Sequence, residues 1–211
     1  VGGGVNDDNS DNHWTDNQIG TEDDRYLNPF KIGNNQAMFT GLQALVAQTF
    51  RRSDPGYAQS CLEAGIRCWE GAGGKDRCWP VSSLCESTRE LSWWTLAALE
   101  LYRATGKDIY RTTAEALGEQ LLSRQTTDFI GSQKQIRGFW RTSGGSASPY
   151  LNGMPSFALL ELLALFPGHA HAGRWRDAVR LHLDECILPL SGRSAYRIVP
   201  FGLYLGSPTP E

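Results

Sequence analysis

The run ELSWWTLAALELYRATGKDIY, residues 90–110, constrains the fold more than any other part of this chain. Apolar residues recur at Leu91, Trp94/Thr95, Ala98 and Leu101/Tyr102, the three-and-four spacing of a helix with one buried face. Gly106 supplies the left-handed residue that ends a helix at little cost, and Lys107-Asp108 opens a new first turn at once. The stripe then resumes at Ala114, Leu117 and Leu121. Two helices joined by so short a connection must lie side by side and antiparallel, as an αα-hairpin.

Two more units of this kind are predicted. Residues 34–51 carry the stripe Leu42, Leu45/Val46, Thr49/Phe50, and Ser53-Asp54-Pro55 stops them. Asp54 is a good N-cap and Pro55 a good first helical residue, so a partner helix runs over 55–70 with Leu62, Ile66 and Trp69 inward. The third hairpin pairs 149–166 (Leu159, Leu162/Leu163, Phe166) with 172–188 (Val179, Leu183, Cys186/Ile187), broken at Pro167-Gly168. Between the second and third lies a Gly- and Ser-rich loop, 126–148, carrying Phe139-Trp140. The tail, 196–205, reads as extended, and Pro200 argues against an interior strand. The fold class is therefore all-α, with an acidic irregular segment over 1–33 and a hairpin region of one domain over 34–211. Hairpins with long, aromatic-bearing loops on one side read as part of an (α/α)6 toroid, in which inner and outer helices alternate.

Charge and cysteine content bound the partners and the compartment. Residues 1–25 hold Asp7, Asp8, Asp11, Asp16, Glu22, Asp23 and Asp24 against Arg25 alone, so the acid of the chain is concentrated there. No basic patch with interleaved aromatics appears, which argues against nucleic acid, and no apolar run approaches the ~20 residues of a membrane span. Asp7-x-Asn9-x-Asp11 opens like a calcium loop, but Asn12 and Gln18 stand where that loop needs Gly and Glu. A solvated acidic loop, or one that hydrogen-bonds sugar hydroxyls, is the favoured reading; calcium is the one metal this segment suggests. Cys61 and Cys68 are seven apart on one predicted helix, and Cys78 and Cys85 repeat that spacing beyond the Gly-rich turn 71–74. Cys68–Cys78 nested inside Cys61–Cys85 is one of three connectivities, and it implies an oxidising, secreted or periplasmic setting. The plainer reading makes Cys61 and Cys68 small buried hydrophobes, and Cys186 a core thiol. A zinc knuckle lacks its Cys-x-x-Cys spacing. The chain opens at Val1 with neither a Met nor a signal-peptide pattern, which suggests a processed product or a piece of something longer.

The order of motifs resembles one family. QALVAQTFRRSDPGYAQSCLEAGIRCWEGA followed by ELSWWTLAALELYRATGKDIY is similar to the middle of the catalytic module of glycoside hydrolase family 9, cellulase-type enzymes built of six helical hairpins. That family carries an alanine-rich helix, an Asp-Pro-x-Tyr-Ala connection, a helix ending near a Trp, and then Glu-Leu-x-Trp with Leu-Tyr-x-Ala-Thr-Gly. The opening VGGGVNDDNSDNHWTDNQ resembles the family's Val-Gly-Asp-Gly turn and the Asp-His and Trp that line its sugar cleft, with Gly3 in place of the Asp. The resemblance implies that His13, Trp14 and Asp16 face a carbohydrate. Trp140, in RGFWRTSGGS, is a second platform by position.

Such residues suit the task, because an exposed Trp stacks on the apolar face of a sugar while His and Asp bind its hydroxyls. Trp93 and Trp94, adjacent on a helix, read as packing residues, and His169, His171 and His182 as surface or helix-end residues. Inverting hydrolysis further needs two carboxyl groups, a general acid and a base for water. The family's Asp-Ala-Gly-Asp base motif and its C-terminal acid motif do not occur in these 211 residues. No catalytic residue is transferred, and the resemblance implies a partial module whose open faces meet the missing hairpins of the same toroid or a second copy. The expected function is part of an inverting glycoside hydrolase acting on a polysaccharide or oligosaccharide, with no organic cofactor. A uronyl hydrolase or polysaccharide lyase shares the toroid, and a non-catalytic carbohydrate-binding or self-assembling scaffold needs no carboxylate pair.

Overall fold

The structure, a computed structural model, describes residues 33–71, 88–129, 136–141, 149–193 and 195–199. Six helices pair in chain order: α1 (Gly33–Phe50) with α2 (Pro55–Gly71), α3 (Thr88–Thr105) with α4 (Asp108–Arg124), and α5 (Pro149–Leu165) with α6 (Ala172–His182). A π-helical turn, Leu183–Ile187, continues α6 into a short α7, Leu188–Gly192.

Local chemistry sets the turns. Asp54 Oδ1 accepts the Tyr57 N–H at 2.9 Å, so the Asp54-Pro55 start of α2 is capped as its sequence predicts. Gly106 lies at φ 69° and its N–H donates to Tyr102 O at 2.7 Å, closing α3 so that α4 begins two residues later. Lys107 stands at the N-cap of α4 without a side-chain cap bond, and Asp108 supplies the first-turn acid that the helix dipole favours.

Contacts fix the helix directions. Gly41 packs on Ala97, Gln48 Nε2 donates to Glu100 Oε2 at 2.9 Å and Arg51 Nη2 to Ala104 O at 2.7 Å, so α1 and α3 run parallel. His171, Arg174 and Trp175 meet Glu119, and Gln125 reaches Ala178 O, so α4 and α6 run parallel too. Because each hairpin is antiparallel, α1, α3 and α5 all point one way as an inner layer. The helices α2, α4 and α6 return outside it. Arg103 ties the layer together, reaching Glu100 on α3 and Glu161 on α5.

The core lies between the two layers. Trp69, Trp94 and Tyr110 meet edge to face, with centroids 5.3 and 5.6 Å apart. Leu91, Leu99, Leu101, Leu117, Leu121, Leu159 and Leu162 are fully buried, each contributing roughly 1.5–3 kcal/mol of transfer free energy. Trp94 is buried and Trp93 packs against the same core, as the sequence predicts.

Two stripes differ from expectation. On α1 the buried side is Ala37, Thr40, Ala44 and Ala47, whereas Leu42 and Leu45 are 56% and 48% exposed. Small residues win the inward side because α1 and α3 approach closely: a Cβ on Gly41 would stand 3.3 Å from the Ala97 Cα. On α6 the buried stripe runs through Trp175, Ala178/Val179, His182 and Cys186 at ordinary helical spacing, so His182 faces inward and Leu183 is 44% exposed. His182, read as a surface or helix-end residue, does end α6 but is fully buried there. His169 and His171 sit at the α5–α6 connection, where His169 stacks on Trp175 at 4.8 Å and His171 Nδ1 donates to Glu119 Oε1 at 2.8 Å. No described helix is long and apolar enough to cross a membrane.

Candidate functional site

Parallel inner helices sort the connections by end. Residues 51–54, 106–107 and 166–171 join helices at the C-terminal end of the inner layer and are short. The long connections, 72–87 and 125–148, leave from its N-terminal end, where Gly33, Thr88 and Pro149 begin. Loops long enough to carry recognition side chains therefore share one face of the fold.

The best-defined part of that face is the segment 136–141. Gln125 and Trp140 form an antiparallel bridge. Thr126 N–H donates to Phe139 O at 2.9 Å, Gly138 N–H to Thr126 O at 2.6 Å and Arg141 N–H to Arg124 O at 3.0 Å. The Gln125 amide spends its nitrogen on two carbonyls, Gly138 O at 2.9 Å and Ala178 O at 2.8 Å. Thr88 Oγ1 donates to Arg141 O, and Arg141 Nε donates to Thr126 Oγ1 at 3.2 Å. The segment is thus stitched to the start of α3, the end of α4 and the body of α6.

Gly138 makes this path possible. It lies at φ 81°, and a Cβ there would stand 2.4 Å from Leu181 O, inside backbone that cannot yield. His182 Nδ1–H donates to the Gly138 carbonyl at 3.0 Å, which fixes the tautomer because a carbonyl only accepts. Burial holds the His182 pKa below its ordinary value, against the Gly138 hydrogen bond, so the ring is neutral. Beside it, burial pushes the Cys186 thiol up to about 11, which fits a core thiol. Arg137 covers the outer side, over the Phe129 ring at 4.7 Å and 3.4 Å from Glu185.

Trp140 corrects the sequence reading. Its side chain is 1% exposed, its Nε1–H donates to Ser156 Oγ at 3.3 Å, and its ring lies 6.2 Å from His182. A ring enclosed on both faces packs the loop onto α5 and offers nothing to a sugar. All five described tryptophans, Trp69, Trp93, Trp94, Trp140 and Trp175, belong to the core.

The other expected site residues, His13, Trp14 and Asp16, lie outside the described residues, as do the calcium-type ligands Asp7, Asn9 and Asp11. Cys78 and Cys85 lie outside them too. Their expected partners are free thiols: Cys61 is buried in the manner of a small hydrophobe, and the Cys68 thiol points to Gln36 O at 3.6 Å. Among the described residues, no cluster of three or more His, Cys, Asp or Glu side chains is arranged to hold a metal. Sequence reasoning missed Gln125 and Gly138, whose local signal, the Gly138-Phe139-Trp140 run, reads as loop; for His182 the helical spacing from Trp175 and Ala178 was the signal for burial.

The sequence pattern described as Glycosyl hydrolase family 9 matches residues 1–202. Among solved structures, a crystal structure of the cellulase Cel9M of C. cellulolyticum aligns with 72% of this chain at 18% identity and TM-score 0.47. A second structure of Cel9M, in complex with cellobiose, matches at the same identity, coverage of this chain and score. The chain spans 30% and 31% of the lengths of those two. No curated protein matches it. The family pattern runs through all three hairpins, whose parallel inner helices and reversed outer helices are those of part of an (α/α)6 toroid. This chain belongs to glycosyl hydrolase family 9.

Proposed function

We propose that this chain is part of a glycoside hydrolase that cleaves a glycosidic bond of a polysaccharide or oligosaccharide with inversion, in the manner of a cellulase. The observation that carries the reading is the family match over residues 1–202, which takes in the acidic opening segment as well as the hairpins. In this reading the long-connection face is the floor of a sugar cleft, and His13, Trp14 and Asp16 stand on it. Trp14 stacks on a sugar ring while His13 and Asp16 bind hydroxyls. The segment 136–141 acts from below by holding both flanks of its loop. Inversion needs a general acid and a general base about 6.5–9.5 Å apart, with water between base and anomeric carbon. No residue of this chain is assigned to either role, because neither family motif occurs in it. The setting is secreted or periplasmic, where such substrates are met.

A non-catalytic carbohydrate-binding module on the same scaffold is the alternative that the test must separate from this hydrolase. Cello-oligosaccharides offered to the purified full-length protein that contains this chain separate the two. Hydrolysis with initial release of the inverted anomer, followed by NMR, supports the hydrolase. Calorimetric binding without hydrolysis, lost in Trp14→Ala, supports the binding module. Neither cleavage nor binding across a panel of β-linked glycans refutes both.

A further inference from the structure

The long connection 125–148 returns to the helices through 136–141, and one margin of that segment is held by an atom that a helix ordinarily keeps for itself. The Arg137 N–H donates to the backbone carbonyl of Glu185 at 3.3 Å. Glu185 lies in the continuation of α6, where an α-helical carbonyl would take the N–H four residues on. Four residues on is Pro189, which has no N–H and whose ring crowds that same carbonyl. The helix therefore offers a backbone acceptor at the place where the returning segment crosses it.

The surroundings show how the fold accommodates the proline. Just before it the chain widens into the π turn Leu183–Ile187, and the Leu188 N–H reaches back five residues to Leu183 O. Pro189 then falls in the first turn of α7, where a missing N–H costs little. His182, Cys186 and Leu190, four apart, stay buried through the break. Ile136 and Phe139 pack with Cys186 and Leu190 in a small core of their own, with Val199 against it. The Arg137 guanidinium makes a second contact with the same residue, 3.4 Å from Glu185 Oε1.

We propose that Pro189 is a positioning residue for the long connection: by barring the α-helical bond to Glu185 O, it leaves that carbonyl to Arg137 and so sets where 136–141 docks on α6. With any other residue at 189, the new N–H would compete for Glu185 O, and the Arg137 N–H would lose its acceptor in a half-buried place. The neighbouring residue is held by different partners. Gly138 N–H donates to Thr126 O at 2.6 Å, and Gly138 O accepts from His182 and Gln125. The two anchors are thus separable, one made by the break in the helix and the other by α4 and His182. The inference concerns how the loop is held and stands whether or not that face binds a glycan.

Hydrogen exchange resolved to single amides by mass spectrometry, on the full-length protein that contains this chain, tests it. Pro189→Ala gives the helix an N–H at 189, so the Arg137 amide should exchange about tenfold faster while the Gly138 amide keeps its rate. Glu185→Gln removes the ion pair and keeps the carbonyl, so both amides should stay protected. Acceleration of Gly138 along with Arg137 means general loosening, and acceleration of neither means that the proline does not release the carbonyl; each overturns the proposal. A Glu185→Gln effect as large as that of Pro189→Ala assigns the anchor to the ion pair and overturns it too. If Pro189→Ala does not fold, the other two proteins decide: an Arg137 amide protected in both upholds the proposal, and one that exchanges freely in either overturns it.

Discussion

Gly138→Ala is the sharpest probe of how the long loop is held. The residue sits at φ 81°, where an L side chain is strained by roughly 1–2 kcal/mol. Its new Cβ would also stand 2.4 Å from Leu181 O and 2.7 Å from Leu181 C, atoms of helical backbone rather than the end of a side chain. Relief requires moving the segment off α6, which strains the Gln125 and His182 bonds to Gly138 O; overpacking of this kind costs roughly 1–3 kcal/mol. Together these give about 2–5 kcal/mol, and at roughly 2–4 °C per kcal/mol for a domain of this size the melting temperature should fall by about 4–20 °C. Differential scanning calorimetry reads this directly. Gly173→Ala, in the first turn of α6 with open space around it, is the control and should gain a few tenths to about 1 kcal/mol from helix propensity. If Gly138→Ala melts within a degree of wild type while the control behaves, the segment does not thread against Leu181 and the account of the loop is wrong.

Three further outcomes follow from the same region. Gln125→Leu leaves the Gly138 and Ala178 carbonyls without their amide donor and should cost about 1–3 kcal/mol in urea unfolding; an unchanged midpoint would show that water replaces the amide. For His182, the folded state holds the neutral ring below the ordinary pKa, so its stability is fully present above about pH 6.5 and is lost as pH falls through the folded pKa. His182→Gln keeps a donor for Gly138 O and cannot titrate, so the difference in melting temperature between variant and wild type should narrow as pH falls; a constant difference refutes the sign. Cys186, with its thiol pushed up to about 11, should resist iodoacetamide at pH 8 in the folded protein while half-buried Cys68 reacts, and peptide mass mapping that finds Cys186 labelled first would place it outside the core.

The hairpins were legible because their punctuation is local. Gly106, Asp54-Pro55 and Pro167-Gly168 act through their own backbone and nearest neighbours, so each turn could be read without knowing what the helices touch. The phase of α1 was not legible for the opposite reason. Its large apolar residues suggested one buried side, but the inward side is chosen by how near α3 can come, and only Gly41 with its flanking alanines permits that approach. Period counts hydrophobicity, and here the packing distance decided. His182 falls at i+7 from Trp175 and i+4 from Ala178, so ordinary helical spacing places it inward, and only its polarity argued for the surface.

The same distinction separates Trp140 from Trp14. A tryptophan in a polar, Gly-rich stretch gives the same sequence signal whether it lies open to a sugar or is drawn into the core, because the deciding fact is what the stretch is tied to. For Trp140 the ties are the Gln125 bridge, the Thr88 bond to the next residue and Ser156 beneath the indole, and all of them draw the ring inward. None of those partners lies within ten residues of Trp140 in the sequence, so no local motif could have supplied them. Trp14 stands differently in kind: its reading comes from a family pattern of neighbouring residues, His13 and Asp16, that together suit a sugar. A solitary aromatic in a loop is evidence for packing until its neighbours supply a second reason. Trp14→Ala against His13→Ala in glycan binding tests whether that second reason is real, since a stacking platform and a hydroxyl ligand should weaken binding separately and a packing residue should weaken folding instead.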